Sequence, residues 1–137
     1  MRTLCTTLLL AFLALAAPCH ALRGLTMITK ENAKEMGIEI RVTPAGPDAV
    51  RIALEFPMKG DLKNYHQVGL ELGDRDHYLL SSALKEGPTK PGHILVSFAA
   101  DRSQLDRLSL RILAGIPFSL VYYEIRLKDF VDLEKLR

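Results

Sequence analysis

The chain has 137 residues, 48% of them hydrophobic, with 18 lysine and arginine residues against 16 aspartate and glutamate residues. The formal net charge of +2 is spread along the chain, so the concentrated basic surface of a nucleic-acid-binding protein is missing, and we expect no nucleic-acid partner. A chain of this length has enough residues for one hydrophobic core and too few for two.

The first 21 residues have the layout of a secretory signal peptide. Arg2 supplies a positive charge, an uncharged apolar run follows over residues 8–17, and Ala21 is the small residue at the predicted cleavage site. The apolar run is too short and wrongly flanked for a membrane-spanning helix. We predict cleavage after Ala21 and export to the periplasm or the extracellular space. Residues 22–137 would then be a single exported domain without a transmembrane segment.

Two other ways of processing the N-terminus remain open. Cleavage after Ala16 would also place small residues at the peptidase pockets. A lipid anchor at Cys19 is the other alternative, because residues 15–19 are similar to a bacterial lipobox. That similarity departs from the pattern at Pro18, where glycine, alanine or serine belongs.

Both cysteines, Cys5 and Cys19, precede the predicted cleavage site. The exported domain would therefore contain no disulfide bond, and its core alone would have to stabilise it. For an exported protein, this absence favours a bacterial envelope over a eukaryotic secreted module.

Alternation of apolar and polar residues, with turn residues between the runs, is the dominant pattern after residue 21. It predicts seven strands, over residues 38–43, 50–56, 65–72, 77–84, 93–100, 108–114 and 119–127. The first two strands should form a hairpin, because the residues between them include two prolines and a glycine. The alternating residues expected to form the core include Ile40, Val42, Ile52, Leu54, Phe56, Val68, Leu70, Val96, Phe98 and Ile125.

Two segments depart from simple alternation. Thr29 can cap, and Gly37 can end, a predicted helix of two turns at most. Residues 101–114 carry both a helical spacing of apolar residues and a strand-like alternation. A helical turn at 102–107 followed by a strand at 108–114 satisfies both patterns.

Seven regularly spaced strands predict a mainly β protein, a single antiparallel β-sandwich of immunoglobulin-like or related Greek-key type with one or two short helical turns. The resemblance is one of architecture alone, because the chain has no tryptophan and lacks the paired cysteines of true immunoglobulin domains. At the C-terminus we expect Phe130 to pack on the sandwich and the last few residues to be frayed.

The turn from Gly73 to His77 holds weak candidate metal ligands, namely Asp74, Asp76 and His77. Glycine and aspartate are also the ordinary residues of tight turns, so we interpret the two aspartates as solvated turn residues. We predict no metal and no cofactor. A complete calcium or zinc shell would need further ligands to converge on this turn, from among Asp48, Asp61 and His93.

The histidines after residue 21, His66, His77 and His93, lack the paired spacing of zinc motifs. His77 lies on the same predicted strand as the nearby serines, and no nucleophile-elbow motif is present. We therefore predict no catalytic residue and no enzyme activity. His66 is expected to be a sheet-end or partly buried residue on the face that carries Val68.

On the last predicted strand, alternation sends Tyr123 into the core and Tyr122 outward. Beside Leu120, Tyr122 would form a small aromatic and apolar patch that anchors a partner. The sequence thus predicts a non-catalytic interaction or accessory module of the cell envelope, whose partner is an envelope protein or a glycan. The alternatives are a calcium- or metal-dependent binding module and a small hydrolase, both using the Gly73–His77 loop.

Overall fold

A computed structural model describes residues 22–73 and 83–136 of the chain. The predicted signal peptide, most of the strand predicted over 77–84, and the metal-ligand candidates Asp74, Asp76 and His77 lie outside these residues.

The described residues form eight strands and one α-helix. The strands are β1 Leu22–Met27, β2 Glu39–Pro44, β3 Ala49–Pro57, β4 Tyr65–Leu72, β5 Leu84–Glu86, β6 His93–Asp101, β7 Leu108–Ile116 and β8 Ser119–Arg126. The helix α1 spans Lys30–Met36, and the short 3-10 helices span Gly60–Asn64, Arg102–Arg107, Leu127–Asp129 and Leu133–Leu136.

The strands form two four-stranded sheets, with the order β1-β8-β7-β4 in one and β2-β3-β6-β5 in the other. All neighbouring strands are antiparallel except β1 and β8, which are parallel. The protein is therefore mainly β, with a sandwich-like arrangement of two sheets, as the alternation predicts. The parallel pair is an exception to the expected antiparallel pattern.

The inner faces of the two sheets share one hydrophobic core. All ten residues predicted for it take part; Ile40, Val42 and Val68 are partly buried against it and the other seven are buried. The predicted hairpin is also present, since β2 and β3 pair with Ile40 opposite Leu54. Phe56 has no exposed surface and meets the ring of Tyr65 edge to face, with 5.4 Å between the ring centroids.

Both helical predictions are confirmed, and the second helical segment is a 3-10 helix. The Thr29 side chain accepts a hydrogen bond from the backbone N–H of Asn32, and Gly37 ends α1 in the left-handed conformation. Residues 102–107 form a 3-10 helix that leads into β7. Its capping residue, Asp101, accepts hydrogen bonds from the backbone and hydroxyl of Ser103.

Strand β1 is absent from the sequence-based prediction because its residues do not alternate cleanly. Gly24 interrupts the strand with a φ of 140°, and the register against β8 shifts between Leu22 and Gly24. Pairing with β8 stabilises this irregular segment, and a pattern read along one strand cannot show that partner.

Two further expectations need correction. The segment after the 77–84 strand was expected to be loop, whereas Leu84–Glu86 pairs with β6 as the short edge strand β5. The last residues were expected to fray, but residues 133–136 form a 3-10 helix, and Leu133 and Leu136 pack against the core. Phe130 packs against it as predicted.

The strand directions define two ends of the sandwich. The loops 58–64, 87–92 and 117–118 lie at one end, which we call the hairpin end, because 117–118 is the turn of the β7–β8 hairpin. The loop 45–48 and the 3-10 helix 102–107 lie at the opposite end, which we call the far end.

Candidate functional site

A groove with a volume of about 630 Å³ lies on the outer face of the β1-β8-β7-β4 sheet, toward the far end. β1 contributes Leu25 and Met27, β7 contributes Arg111, and β8 contributes Glu124 and Arg126. Leu25 is 41% exposed and adds apolar surface to the groove. The groove therefore combines apolar surface from the edge strand with charged side chains from the central strands.

Arg111 holds two carboxylates in the groove. Its Nε lies 2.7 Å from Glu71 Oε2, and its Nη2 lies 3.2 Å from Glu124 Oε2. Strand register explains this arrangement, because Arg111 pairs across β7–β8 with Glu124 and across β7–β4 with Gly69, two residues from Glu71. Only 16% of the Arg111 side chain is exposed, so the three charges form a fixed, largely buried network.

Glu71 leaves one hydrogen-bond acceptor in the groove. The residue is 4% exposed, and its Oε1 atom is buried without a hydrogen-bond partner among the described residues. An unpaired buried acceptor costs about 1–3 kcal/mol, so a donor that reaches Oε1 from the groove would recover that free energy. Because Oε1 has almost no exposed surface, a donor in the groove would reach it only after the side chains over it move.

The rim of the groove carries more positive than negative charge. Arg107, Arg126 and Lys128 line it together with one acid, Asp106. Arg126 is half exposed, and its contact with Glu124 is long, at 4.0 Å. Glu124 makes a shorter contact with Arg111, at 3.2 Å. The rim therefore complements a ligand with negative charge.

Tyr122 lies beside this network on the same outer face. The guanidinium carbon of Arg111 is 5.9 Å from the centre of the Tyr122 ring, within the range of a cation–π contact. Tyr122 and Leu120 are half-buried, so they offer less surface than the sequence pattern indicates. A partner contact at Tyr122 stays a prediction.

Glu124 follows Tyr123 on β8, so alternation places it on the outer face, where a carboxylate is normally solvated. It does lie on the outer face, but only 14% of its side chain is exposed because Arg111 covers it. The charge network of Arg111, Glu71 and Glu124 was not predicted. Each of the three charged residues is visible in the sequence, one on each of three strands. Their contacts depend on the strand register, which the sequence does not provide.

The turn of the β7–β8 hairpin exposes large apolar side chains. Ile116 is 59% exposed and Phe118 is 58% exposed, with Pro117 between them. Phe118 has a φ of 75°, the only positive φ at a non-glycine residue in the described part of the chain. Bulky residues rarely adopt this strained conformation, and such strain is concentrated at functional sites.

The hairpin turn is held from both sides. A Cβ atom at Gly115 would lie 2.3 Å from the backbone oxygen of Ser119, so only glycine fits there. The Nε2 atom of His66 lies 2.8 Å from the Gly115 carbonyl oxygen, which accepts a hydrogen bond from it. The sequence-based prediction gave residues 116–118 no functional role, although three apolar residues in a turn, which is normally polar, were the available signal.

His66 lies at the start of β4, as predicted for a sheet-end residue. The register between β4 and β7 shifts between Tyr65 and Gln67, so His66 occupies an irregular position between them. Tyr65, the residue before His66, packs against the core.

The 87–92 loop covers part of the outer face of the second sheet, at Glu55. Glu55 is 1% exposed and accepts hydrogen bonds from the backbone N–H groups of Thr89 and Lys90, at 3.0 and 3.1 Å, and from the Thr89 hydroxyl at 2.7 Å. Arg41 donates a further bond at 3.2 Å. Burial raises the pKa of Glu55, but these hydrogen bonds outweigh it and hold the pKa below its ordinary value. This network fixes the 87–92 loop in place and leaves the other sheet with the open groove.

The candidate metal ligands in the described residues do not converge. Asp48 lies at the far end, whereas Asp61 and His93 lie at the hairpin end. Asp61 accepts a hydrogen bond from Tyr123, and His93 faces Glu55 at 4.0 Å. No group of three or more possible metal-ligating residues occurs among the described residues.

We expect that Ca²⁺ or Zn²⁺ at tens of micromolar leaves the melting temperature of the protein unchanged. A ligand present at a hundred times its Kd would add about 2.7 kcal/mol to the folded state, a shift of several degrees in a domain of this size. Thermal unfolding with and without each ion measures this. A rise that disappears in Asp74→Ala or Asp76→Ala would instead establish a metal site at the Gly73–His77 loop.

Comparisons with models of known protein families, with curated proteins and with solved structures found no match. Among the residues that the structure describes, no helix is both long enough and apolar enough to cross a membrane.

Proposed function

We propose that the chain is an exported, non-catalytic binding module of the cell envelope, and that it binds a protein partner in the groove of the β1-β8-β7-β4 sheet. The proposal rests on two features of the same groove. Glu71 is a buried carboxylate with an acceptor atom that has no partner, and the rim of the groove is positively charged. The export address rests on the signal-like pattern of residues 1–21.

The fold we propose is an immunoglobulin-like Greek key. The strand order β2-β3-β6-β5 matches the four-stranded sheet of a constant-type immunoglobulin domain, and β4-β7-β8 matches its three-stranded sheet. The hairpins β2–β3, β5–β6 and β7–β8 support the same connectivity. β1 would then be an additional edge strand beside β8. Domains of this architecture commonly act by binding, although the fold alone specifies no function.

A non-catalytic role is supported by the composition of the groove. Among the described residues that line it, Ser109 is the one hydroxyl, and no histidine or cysteine lies beside it. Glu71 is opposite Ser109 in the strand register, but Glu71 and Glu124 are both ion-paired with Arg111, and an ion-paired carboxylate is a weak general base for a serine. Arg111, whose two carboxylate partners neutralise it, is arranged to hold the surface rigid.

The partner we propose is an extended protein segment that carries acidic side chains and at least one hydrogen-bond donor. Its acidic groups would meet Arg107, Arg126 and Lys128 at the rim. Its donor would bond Glu71 Oε1 once the side chains over that buried atom shift. Apolar side chains of the same segment would pack on Leu25.

Site-specific photocrosslinking tests this function. A benzoylphenylalanine in place of Leu25 should form an adduct with one defined protein in cells that export the chain. The same residue in place of Leu84, a leucine that is 65% exposed on the other sheet, is the matched control and should give no such adduct.

The charge contribution is tested in the same cells. Arg126→Glu with Lys128→Glu should reduce the Leu25 adduct more than about fivefold, because rim charges control association. The matched variant Lys34→Glu with Lys85→Glu changes two exposed lysines outside the groove and should leave it unchanged. Equal adducts from Leu25 and Leu84, or an adduct insensitive to the rim reversal, would show that the groove is not the binding site.

A further inference from the structure

We propose that the hairpin end docks on the surface of an anionic lipid bilayer, with the side chains of Ile116 and Phe118 inserted among the lipids. This surface is separate from the groove, which lies toward the far end, and the inference does not depend on the proposed partner.

The hairpin end has the apolar surface that insertion needs. Ile116 and Phe118 are each more than half exposed, and Met58, 36% exposed, lies in the neighbouring loop at the same end. Large apolar side chains at the tip of a hairpin gain free energy when they leave water, at roughly 25 cal/mol per Å² of buried apolar surface. No charged residue occurs in the sequence Gly115-Ile116-Pro117-Phe118-Ser119, so no charge would have to enter the bilayer with them.

Positive charge lies in the 58–64 loop at the same end as this apolar tip. Lys59 and Lys63 lie in the 58–64 loop, are exposed, and pair with no acidic side chain of the described residues. Lys90, in the 87–92 loop at the same end, forms a salt bridge with Glu39. The acid of the loop, Asp61, accepts a hydrogen bond from the Tyr123 hydroxyl at 3.1 Å. Two free lysines beside an uncharged apolar tip complement anionic lipid headgroups.

The tip is rigid enough to enter the bilayer without losing much further conformational freedom. Gly115 is closely packed against the backbone of Ser119, and its carbonyl is bonded by His66. The Phe118 backbone is already held at a positive φ, which presents its ring at the turn. A preorganised loop keeps more of its contact free energy as binding affinity.

The entry point of the chain supports the same orientation. β1 runs parallel to β8, and Leu22 is opposite Leu120 near the hairpin turn. β1 therefore starts at the end of the sandwich that carries Phe118. Before cleavage, or with a lipid on Cys19, the chain would be tethered with its hairpin end toward the membrane.

Tryptophan fluorescence tests the proposal directly, because the chain contains no tryptophan. A Phe118→Trp protein should emit at shorter wavelength with phosphatidylglycerol-containing vesicles, and brominated acyl chains should quench this emission. The matched reporter Lys135→Trp, at a side chain that is 83% exposed in the 3-10 helix 133–136, should show neither change. Because each tryptophan reports its own position, the result does not depend on how the N-terminus is processed.

Charge dependence completes the test. Lys59→Ala and Lys63→Ala should each weaken the vesicle affinity of the Phe118→Trp protein about fivefold, and vesicles of phosphatidylcholine alone should bind far more weakly. Circular dichroism checks that each variant is folded. Unchanged emission with anionic vesicles would overturn the proposal, as would equal quenching of both reporters. A response to soluble polyglutamate without a response to vesicles would assign the surface to an acidic protein instead.

Discussion

Phe56→Ala should destabilise the protein by about 3–5 kcal/mol, the largest effect we expect of a single substitution in the core. Phe56 has no exposed surface, packs between the sheets and meets Tyr65 edge to face. Removing the ring loses its transfer free energy and leaves a cavity that the rigid strands cannot fill. Because domains of this size are stable by only about 5–15 kcal/mol, the variant would lose a large part of its stability.

Denaturant unfolding followed by circular dichroism measures the change, and the chain provides a matched control. Phe118→Ala makes the same chemical change at a residue that is 58% exposed and should alter the free energy of unfolding by about 0.5 kcal/mol or less. Phe98, which is 2% exposed and pairs with Ile52 across β3–β6, should behave like Phe56. Similar small losses at Phe56 and Phe118 would mean that β3 is shifted by one residue, because such a slip exchanges its two faces.

The core was predictable because it depends on local alternation. Leu54 and Phe56 face inward for the same reason that Glu55 between them faces outward, and this period of two is visible in the sequence. β1 was not predictable in the same way. Its parallel pairing with β8 joins residues about a hundred positions apart, and Gly24 interrupts its pattern.

The candidate site was less predictable than the core, because it depends on which strands are neighbours. Arg111 meets Glu71 and Glu124 only once β7 lies between β4 and β8. The irregularity between Tyr65 and Gln67, where His66 lies, was not predictable either, because it belongs to the pairing with β7 and not to β4 alone. The register between strands therefore decides which side chains meet on an outer face, and alternation along one strand does not determine that register.

Glu55 illustrates the same limit and leads to the second large effect. Alternation predicts an outward residue, which would normally be solvated, yet the 87–92 loop covers it completely. Glu55→Gln should destabilise the protein by about 2–3 kcal/mol at neutral pH. The amide offers one acceptor oxygen in place of two. With that oxygen bonded to the N–H groups of Thr89 and Lys90, its NH₂ group would face the Arg41 guanidinium and the Thr89 hydroxyl, so the charge-assisted bond from Arg41 is lost.

The destabilisation should depend on pH in a defined direction. The folded-state pKa of Glu55 lies below its ordinary value, since the hydrogen bonds from Thr89, Arg41 and Lys90 together outweigh the opposing effect of burial. A carboxylate with a lowered folded pKa contributes stability that is complete above the unfolded pKa and is lost as the pH falls through the folded pKa. The difference between the native protein and Glu55→Gln should therefore be constant near neutrality and shrink below about pH 4.5.

Urea unfolding over a pH series measures this difference, with Glu39→Gln as the matched control. Glu39 pairs with Lys90 and Arg41 in the same network, but its side chain is 41% exposed, so its loss should cost no more than about 1 kcal/mol. A Glu55→Gln effect as small as that of Glu39→Gln would show that the 87–92 loop does not depend on the buried carboxylate. A difference that grows on acidification would show that Glu55 is protonated more readily in the folded protein than in the unfolded chain, and would contradict the assigned direction of the pKa shift.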